Sequence, residues 1–178
     1  IARRQAQLRL DTPYITHQTL GRSTDAQAGG PAHEKILFAA INRPATLQAW
    51  LGAFQQRQRG IDGLGLTAHL AADLAPQLPG LPAVALIVWA SPAGQRVSCL
   101  EGGRLRFSRL TQAGADFWHT CSDEARRTHQ YLVGQRVIER GQPTPVFILA
   151  HPQDHAALAS ACPDTGELHF QPVDLPAL

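Results

Sequence analysis

Eight histidines and three cysteines are the residues of this chain best suited to metal binding or nucleophilic work, so their spacing bounds its chemistry. A zinc site needs several donors converging from fixed positions. Only His151 and His155 stand at ligand-like spacing, and Pro152 between them marks a helix start, which takes His151 off the face that His155 occupies. The pair reads as a capping or surface arrangement. His119 and His129 lie among polar residues of a helical stretch, with no Cys or carboxylate fixed beside them. Cys99, Cys121 and Cys162 are widely separated and set in apolar surroundings, the pattern of reduced core thiols. Ser91, Ser98 and Ser108 lack the GxSxG setting of a nucleophile elbow. The pairs Gly29-Gly30 and Gly102-Gly103 lack the spacing of a phosphate loop and read as loop and hairpin turn. No catalytic, cofactor-binding or metal-ligating residue is assigned.

The arginines carry a different kind of chemistry. In the run RLRFSRL, strict alternation puts Arg104 and Arg106 on one side of a strand and Leu105 and Phe107 on the other. The plain expectation is a solvated strand face. The functional one is a protein-docking surface, because a guanidinium pairs with carboxylates in two places and its plane stacks on apolar groups. Arg104 and Arg106 are therefore the candidate partner-binding residues.

Composition narrows the partners. With 44% hydrophobic and 17% charged residues, the 178-residue chain is ordinary globular protein. Its net charge of +2, with Lys35 as the one lysine and no basic run, gives no nucleic-acid footprint. No run approaches the roughly 18 apolar residues of a membrane span, so no direct membrane contact is expected. Reduced thiols point to a cytoplasmic setting. The helix-like start IARRQAQLRL and the absence of methionine imply a piece of a longer protein.

The elements that must position these residues follow from periodicity and punctuation. After the opening helix, strands are expected at 14–21 and 35–41, then a helix begun by Asn42-Arg43-Pro44 with Leu47, Trp50, Leu51 and Phe54 on a core-facing stripe. A third strand at 61–66 and a helix at 68–78 complete a small α-β-β-α-β-α region. Pro79-Gly80 and Pro82 mark the expected boundary, giving domains 1–80 and 81–178. Beyond it, 83–90, 96–100 and 104–110 read as a three-strand meander joined by tight turns. A long helix over 116–139, a strand at 146–150, a helix opened by His151-Pro152 and a strand at 168–173 follow.

The order β-β-β-α-β-α-β is that of the ribonuclease H-like fold, an α/β class with a mixed sheet. Nucleases of that fold carry a metal-binding carboxylate in the first strand, and actin-like ATPases place an Asp-x-Gly in the first hairpin. Residues 83–90 contain no Asp or Glu, and the hairpin reads Trp89-Ala90-Ser91-Pro92-Ala93-Gly94. A ribonuclease H-like nucleic-acid enzyme is accordingly disfavoured, and no catalysis or cofactor is expected.

The stretches KILFAAINRPATLQAWLGAFQQRQRGIDGLGLTAHL and LEGGRLRFSRLTQAG together resemble the actin-like cytoplasmic proteins of bacterial type IV pilus and type II secretion assembly platforms, with Arg109 and Gly114 in place of that family's arginine-then-glycine pair. The resemblance covers most of the chain in topology and is loose in residues. It implies a scaffold at the cytoplasmic face of the inner membrane, with protein partners in the platform and any anchor outside this chain. It also implies a first ribonuclease H-like half upstream of Ile1. The alternative is an ATP-binding actin-like protein whose nucleotide site that upstream half completes.

Overall fold

The computed structural model describes residues 14–23, 33–41, 44–63, 65–78, 80–91, 93–112 and 117–174. The expected opening helix, Pro79, Pro92 and Gly114 lie outside them. The chain forms two compact units, Ile1–Leu64 and Gly65–Leu178.

In the first unit, β1 (Tyr14–Ser23) pairs antiparallel with β2 (His33–Ile41), with a register irregularity between Thr19 and Gly21. The helix α1 (Pro44–Gln56) starts on proline, whose missing N–H costs nothing in a first turn. It stops through a left-handed residue, Gln58 at φ 50°, with Arg59 N–H donating back to the Phe54 carbonyl at 3.0 Å. Residues 61–63 and 65–66 are not a strand, against expectation: Gly63 and Gly65 supply no side chain to pack, and Ile61 is exposed. The helical stripe is also less buried than its periodicity implies. Trp50 is 65% exposed and stacks on Phe54 with ring centroids 6.0 Å apart.

The second unit is a five-stranded mixed sheet in the order β5-β4-β3-β6-β7, built from β3 (Val84–Ser91), β4 (Gly94–Glu101), β5 (Arg104–Thr111), β6 (Thr144–Ala150) and β7 (Leu168–Asp174). The first three strands form the expected antiparallel meander, and β6 and β7 add in parallel beside β3. Parallel additions need crossovers, and the chain supplies them as α3 (Phe117–Gly134) and α4 (His155–Ala161). The helix α2 (Thr67–Leu74), continued by a 3-10 turn to Gln77, lies on the other face.

Strand alternation divides the core accordingly. Leu86 and Val88 of β3 point with Val97 and Cys99 toward Cys121, Ala125 and Leu132 of α3. Ala85 and Ile87 point the other way, with Leu100, Phe147 and Leu149, onto Ala71, Ala75 and Leu78. The helix expected in the first domain thus closes one face of the second unit's sheet, which is why the units divide at Leu64 and Gly65 and not at residue 80.

The long helix ends earlier than its hydrophobic pattern implies. Arg136 adopts φ 58°, Arg136 N–H donates to the Val133 carbonyl at 3.0 Å and Val137 N–H to the Leu132 carbonyl at 2.9 Å. These are the paired bonds of a Schellman terminus, and they leave Val137 and Ile138 against the core although neither is helical.

Candidate functional site

Two places can be tested against the sequence: the β3–β4 hairpin, whose residues lack the acid sought there, and the β5 strand with its arginines. At the hairpin, Ser91 Oγ donates to the Gly94 carbonyl at 3.2 Å and so closes the turn. Gly94 has φ +130°, a backbone region closed to most L side chains, and a Cβ there would run into the Thr111 carbonyl oxygen of β5. Its glycine is required by strand packing. The neighbouring Gln95 is buried, and its Oε1 accepts from Thr120 Oγ1 at 3.2 Å, which ties β4 to the first turn of α3. Thr111 Oγ1 donates to the Gln95 carbonyl at 3.3 Å.

Ser98 and Ser108 face one another across β4 and β5, with oxygens 2.9 Å apart, and Arg96 Nη1 donates to Ser108 Oγ at 3.0 Å. Burial lowers the Arg96 guanidinium from its usual value, since water is replaced by sheet and side chain. The three serines noted in the sequence are therefore turn-closing and cross-strand groups.

β5 is an edge strand of the sheet, and its simple alternation is broken. Cys99 pairs with Phe107 and Leu100 with Leu105, which leaves Arg106 as the extra residue of a β-bulge. Leu105 and Phe107 consequently do not share a face. Leu105 joins the core under α2, and Phe107 packs on the α3 side against Tyr131, with centroids 5.2 Å apart. Arg104 lies opposite Glu101 in the register, and Arg106 Nε approaches Glu101 Oε2 at 3.5 Å. Arg106 thus meets the carboxylate of Glu101 at the sheet edge, and Arg104 stands at the register position opposite the same residue. Both groups of the Arg106 pair are well exposed, so the ion pair contributes no more than about 1 kcal/mol and leaves the edge free to exchange partners.

The histidine expectations resolve locally. His151 Nδ1 accepts from Gln153 N–H at 3.4 Å and caps the 3-10 turn Pro152–Asp154, the capping arrangement read from Pro152. His129 is buried on α3, with Glu167 Oε2 3.8 Å from its Nδ1. Burial holds its pKa below the ordinary histidine value, and Glu167 partly opposes that shift. Among the described residues no three His, Cys, Asp or Glu side chains gather as a metal group, and no helix is long and apolar enough to cross a membrane.

Two features escaped sequence reasoning. On α1, Ala49, Trp50, Ala53 and Phe54, with Arg57 and Arg59, line an open groove of about 530 Å³; the aromatic pair four residues apart followed by arginines was its visible signal. The other is the approach of Cys162 Sγ to the Trp118 carbonyl of α3 at 3.9 Å, in the core cluster that also holds Cys121, which nothing in the linear sequence announces.

Strand order, the two parallel crossover connections and helices on both faces define a ribonuclease H-like fold of the actin-like kind. No family model matches the chain, and no curated protein matches it in sequence. Among solved structures it is similar to a chain of the PilM-PilN type IV pilus biogenesis complex, with TM-score 0.61 and 18% identity over 90% of this chain and 56% of that one. It is also aligned with a Bacteroides thetaiotaomicron protein of actin-like ATPase fold and unknown function, at TM-score 0.46 and 9% identity, over 95% of this chain and 57% of the other. The chain therefore spans little more than half the length of either. The likeness to the pilus complex establishes a shared actin-like fold.

Proposed function

We propose that this chain is part of a non-catalytic scaffold in a bacterial pilus or secretion assembly, working at the cytoplasmic face of the inner membrane and joining a membrane-embedded platform to another assembly protein. One observation carries the reading: the β3–β4 hairpin has no acid, and Ser91 Oγ on the Gly94 carbonyl and Gln95 Oε1 on Thr120 tie the turn to itself and to α3. The shared fold with a chain of a pilus biogenesis complex supports the same setting. Arg104 and Arg106 are the docking residues in this proposal, offering guanidinium groups from an edge strand to a partner's carboxylates.

The test compares the wild-type chain with Arg104→Ala/Arg106→Ala in pull-downs against the platform proteins of the native host. The double variant should fold within about 1 kcal/mol of wild type, as surface substitutions do, and recover the platform partner poorly. Equal recovery would remove these arginines from the interface. Calorimetric binding of ATP-Mg²⁺ by this chain at about −8 kcal/mol, the micromolar range, would overturn the non-catalytic reading.

A further inference from the structure

The bulge at Arg106 changes which residues of β5 share a face. On β4, Val97, Cys99 and Glu101 alternate onto one side of the sheet, where Val97 and Cys99 pack with α3. Their register partners on β5 are Arg109, Phe107 and Arg104. Unbroken alternation would put Arg104 and Arg109 on opposite faces; the extra residue brings Arg109 round to the face of Arg104. Arg106 reaches the same row through Glu101, at 3.5 Å. Arg109 is exposed and forms no ion pair among the described residues. Phe107, between Arg106 and Arg109 in the strand, holds the ring of Tyr131 of α3, which is 50% exposed. The opposite face of the strand presents Leu110, 44% exposed.

We propose that β5 takes up an extended acidic segment of an assembly partner as a sixth strand of this sheet, with carboxylates on the α3 side meeting Arg104, Arg106 and Arg109 and apolar residues at alternate positions meeting Leu110. The inference rests on the docking role given above to Arg104 and Arg106. It adds Arg109 to them and names the shape and chemistry of what they bind.

Backbone, charge and pattern each bear on the occupant. β5 ends the strand order, and among the described residues no strand pairs with its outer side, so its outward N–H and C=O groups are open to another chain. Beyond the bulge, residues 107–111 pair with β4 without interruption and form a regular template. A second copy of this strand is a poor occupant: β5 carries three arginines and no acid, and like charges brought opposite one another destabilise a strand pair. An acidic strand reverses that sign, and each guanidinium can take a carboxylate in two places. Same-face side chains of a strand repeat about every 7 Å. An alternation of acidic and apolar residues therefore sets carboxylates along the arginine row and apolar groups on the Leu110 face, whereas a block of acids followed by a block of apolar residues does not.

The test uses the full chain and a fluorescent, end-capped peptide of alternating glutamate and valine, 8 residues long to match β5, beside a block peptide of the same composition with all glutamates first. Anisotropy should show tighter binding of the alternating peptide by the wild-type chain. Arg109→Ala should weaken that binding about tenfold, the loss of one charge-assisted contact, with urea unfolding unchanged. Of two further peptides, N-methylated on every glutamate or on every valine, one should lose binding and the other keep it, because alternate amides of a strand point to opposite edges. Equal affinity for the alternating and block peptides, equal binding of both methylated peptides, or undiminished affinity in Arg109→Ala would each overturn strand addition at β5. Loss of binding in Arg57→Ala would place the peptide on the first unit and overturn it as well. The docking reading is judged separately: a pull-down that still depends on Arg104 and Arg106 keeps it when strand addition fails, and a pull-down indifferent to all three arginines removes both.

Discussion

Replacing Gly94 with alanine tests the structural reading of the hairpin. At φ +130° an L residue pays about 1–3 kcal/mol for a sparsely populated backbone conformation. The new methyl also meets the Thr111 carbonyl oxygen of the neighbouring strand, a backbone atom that cannot swing aside, so overpacking adds about 1–3 kcal/mol. Alanine's lower freedom in the unfolded chain returns about 0.4–1 kcal/mol. The net expectation is a loss of about 3 kcal/mol, a large fraction of a typical domain's stability. The assay is urea unfolding followed by fluorescence in a Trp50→Phe background, which leaves Trp89 and Trp118, both in the second unit, as reporters. Gly102→Ala is the control: φ there is +58° and nothing stands within 4 Å of the added Cβ. It should cost about 1–2 kcal/mol from the backbone alone, so the difference between the variants isolates the steric contribution of Thr111. A Gly94→Ala loss no greater than that of Gly102→Ala would refute the packing argument.

Arg136→Gly should stabilise the second unit by about 0.5–1 kcal/mol, since a left-handed arginine costs about 1–2 kcal/mol and glycine gives part of that back through its greater unfolded freedom; urea midpoints check it, and a destabilised variant would show that the Arg136 side chain contributes more than its backbone strain costs. Burial lowers the folded-state pKa of His129, so below the ordinary histidine value of about 6.5 the unfolded chain binds more protons than the folded one. This contribution to stability is present above that pH and is lost as pH falls toward the folded value, at no more than about 1.4 kcal/mol per pH unit. His129→Leu should flatten stability against pH through that window, and an unchanged slope in denaturation curves would assign the dependence elsewhere.

Sequence periodicity located β3 and β6 closely because each is a buried apolar run closed by Gly or Pro, as in 83–90 before Pro92 and Gly94. The errors have physical origins that linear patterns do not encode. The long helix was drawn to 139 because Val137 and Ile138 continue its apolar stripe, yet the chain leaves the helix at Gly134 through a left-handed Arg136, a conformation that arginine does not advertise. The bulge at Arg106 reverses the face of Phe107 within a run whose residue types alternate perfectly well without it. The proline-rich break after the helix at 68–78 places it in the first domain by sequence, whereas burial of Ala71, Ala75 and Leu78 against the sheet decides its allegiance. That Arg104 and Arg106 lie on one strand was legible, but the strand's edge position and Glu101, opposite Arg104 and 3.5 Å from Arg106, became visible only through the sheet register.

The same register bears on how the hairpin can lack an acid and still be built to tight tolerances. Gly94 must remain glycine to let β5 approach, Thr111 of β5 donates back to the Gln95 carbonyl, and Gln95 holds Thr120 at the start of α3. These contacts join the turn to β5 and to α3, so the hairpin has a packing role of its own. A carboxylate placed in β3 would instead enter a strand whose residues Ala85 through Val88 are fully buried, where an ionised group without a partner is strongly disfavoured. The apolar β3 and the packing of the turn are therefore mutually consistent, and the arginine chemistry stands apart from them at the exposed edge of β5.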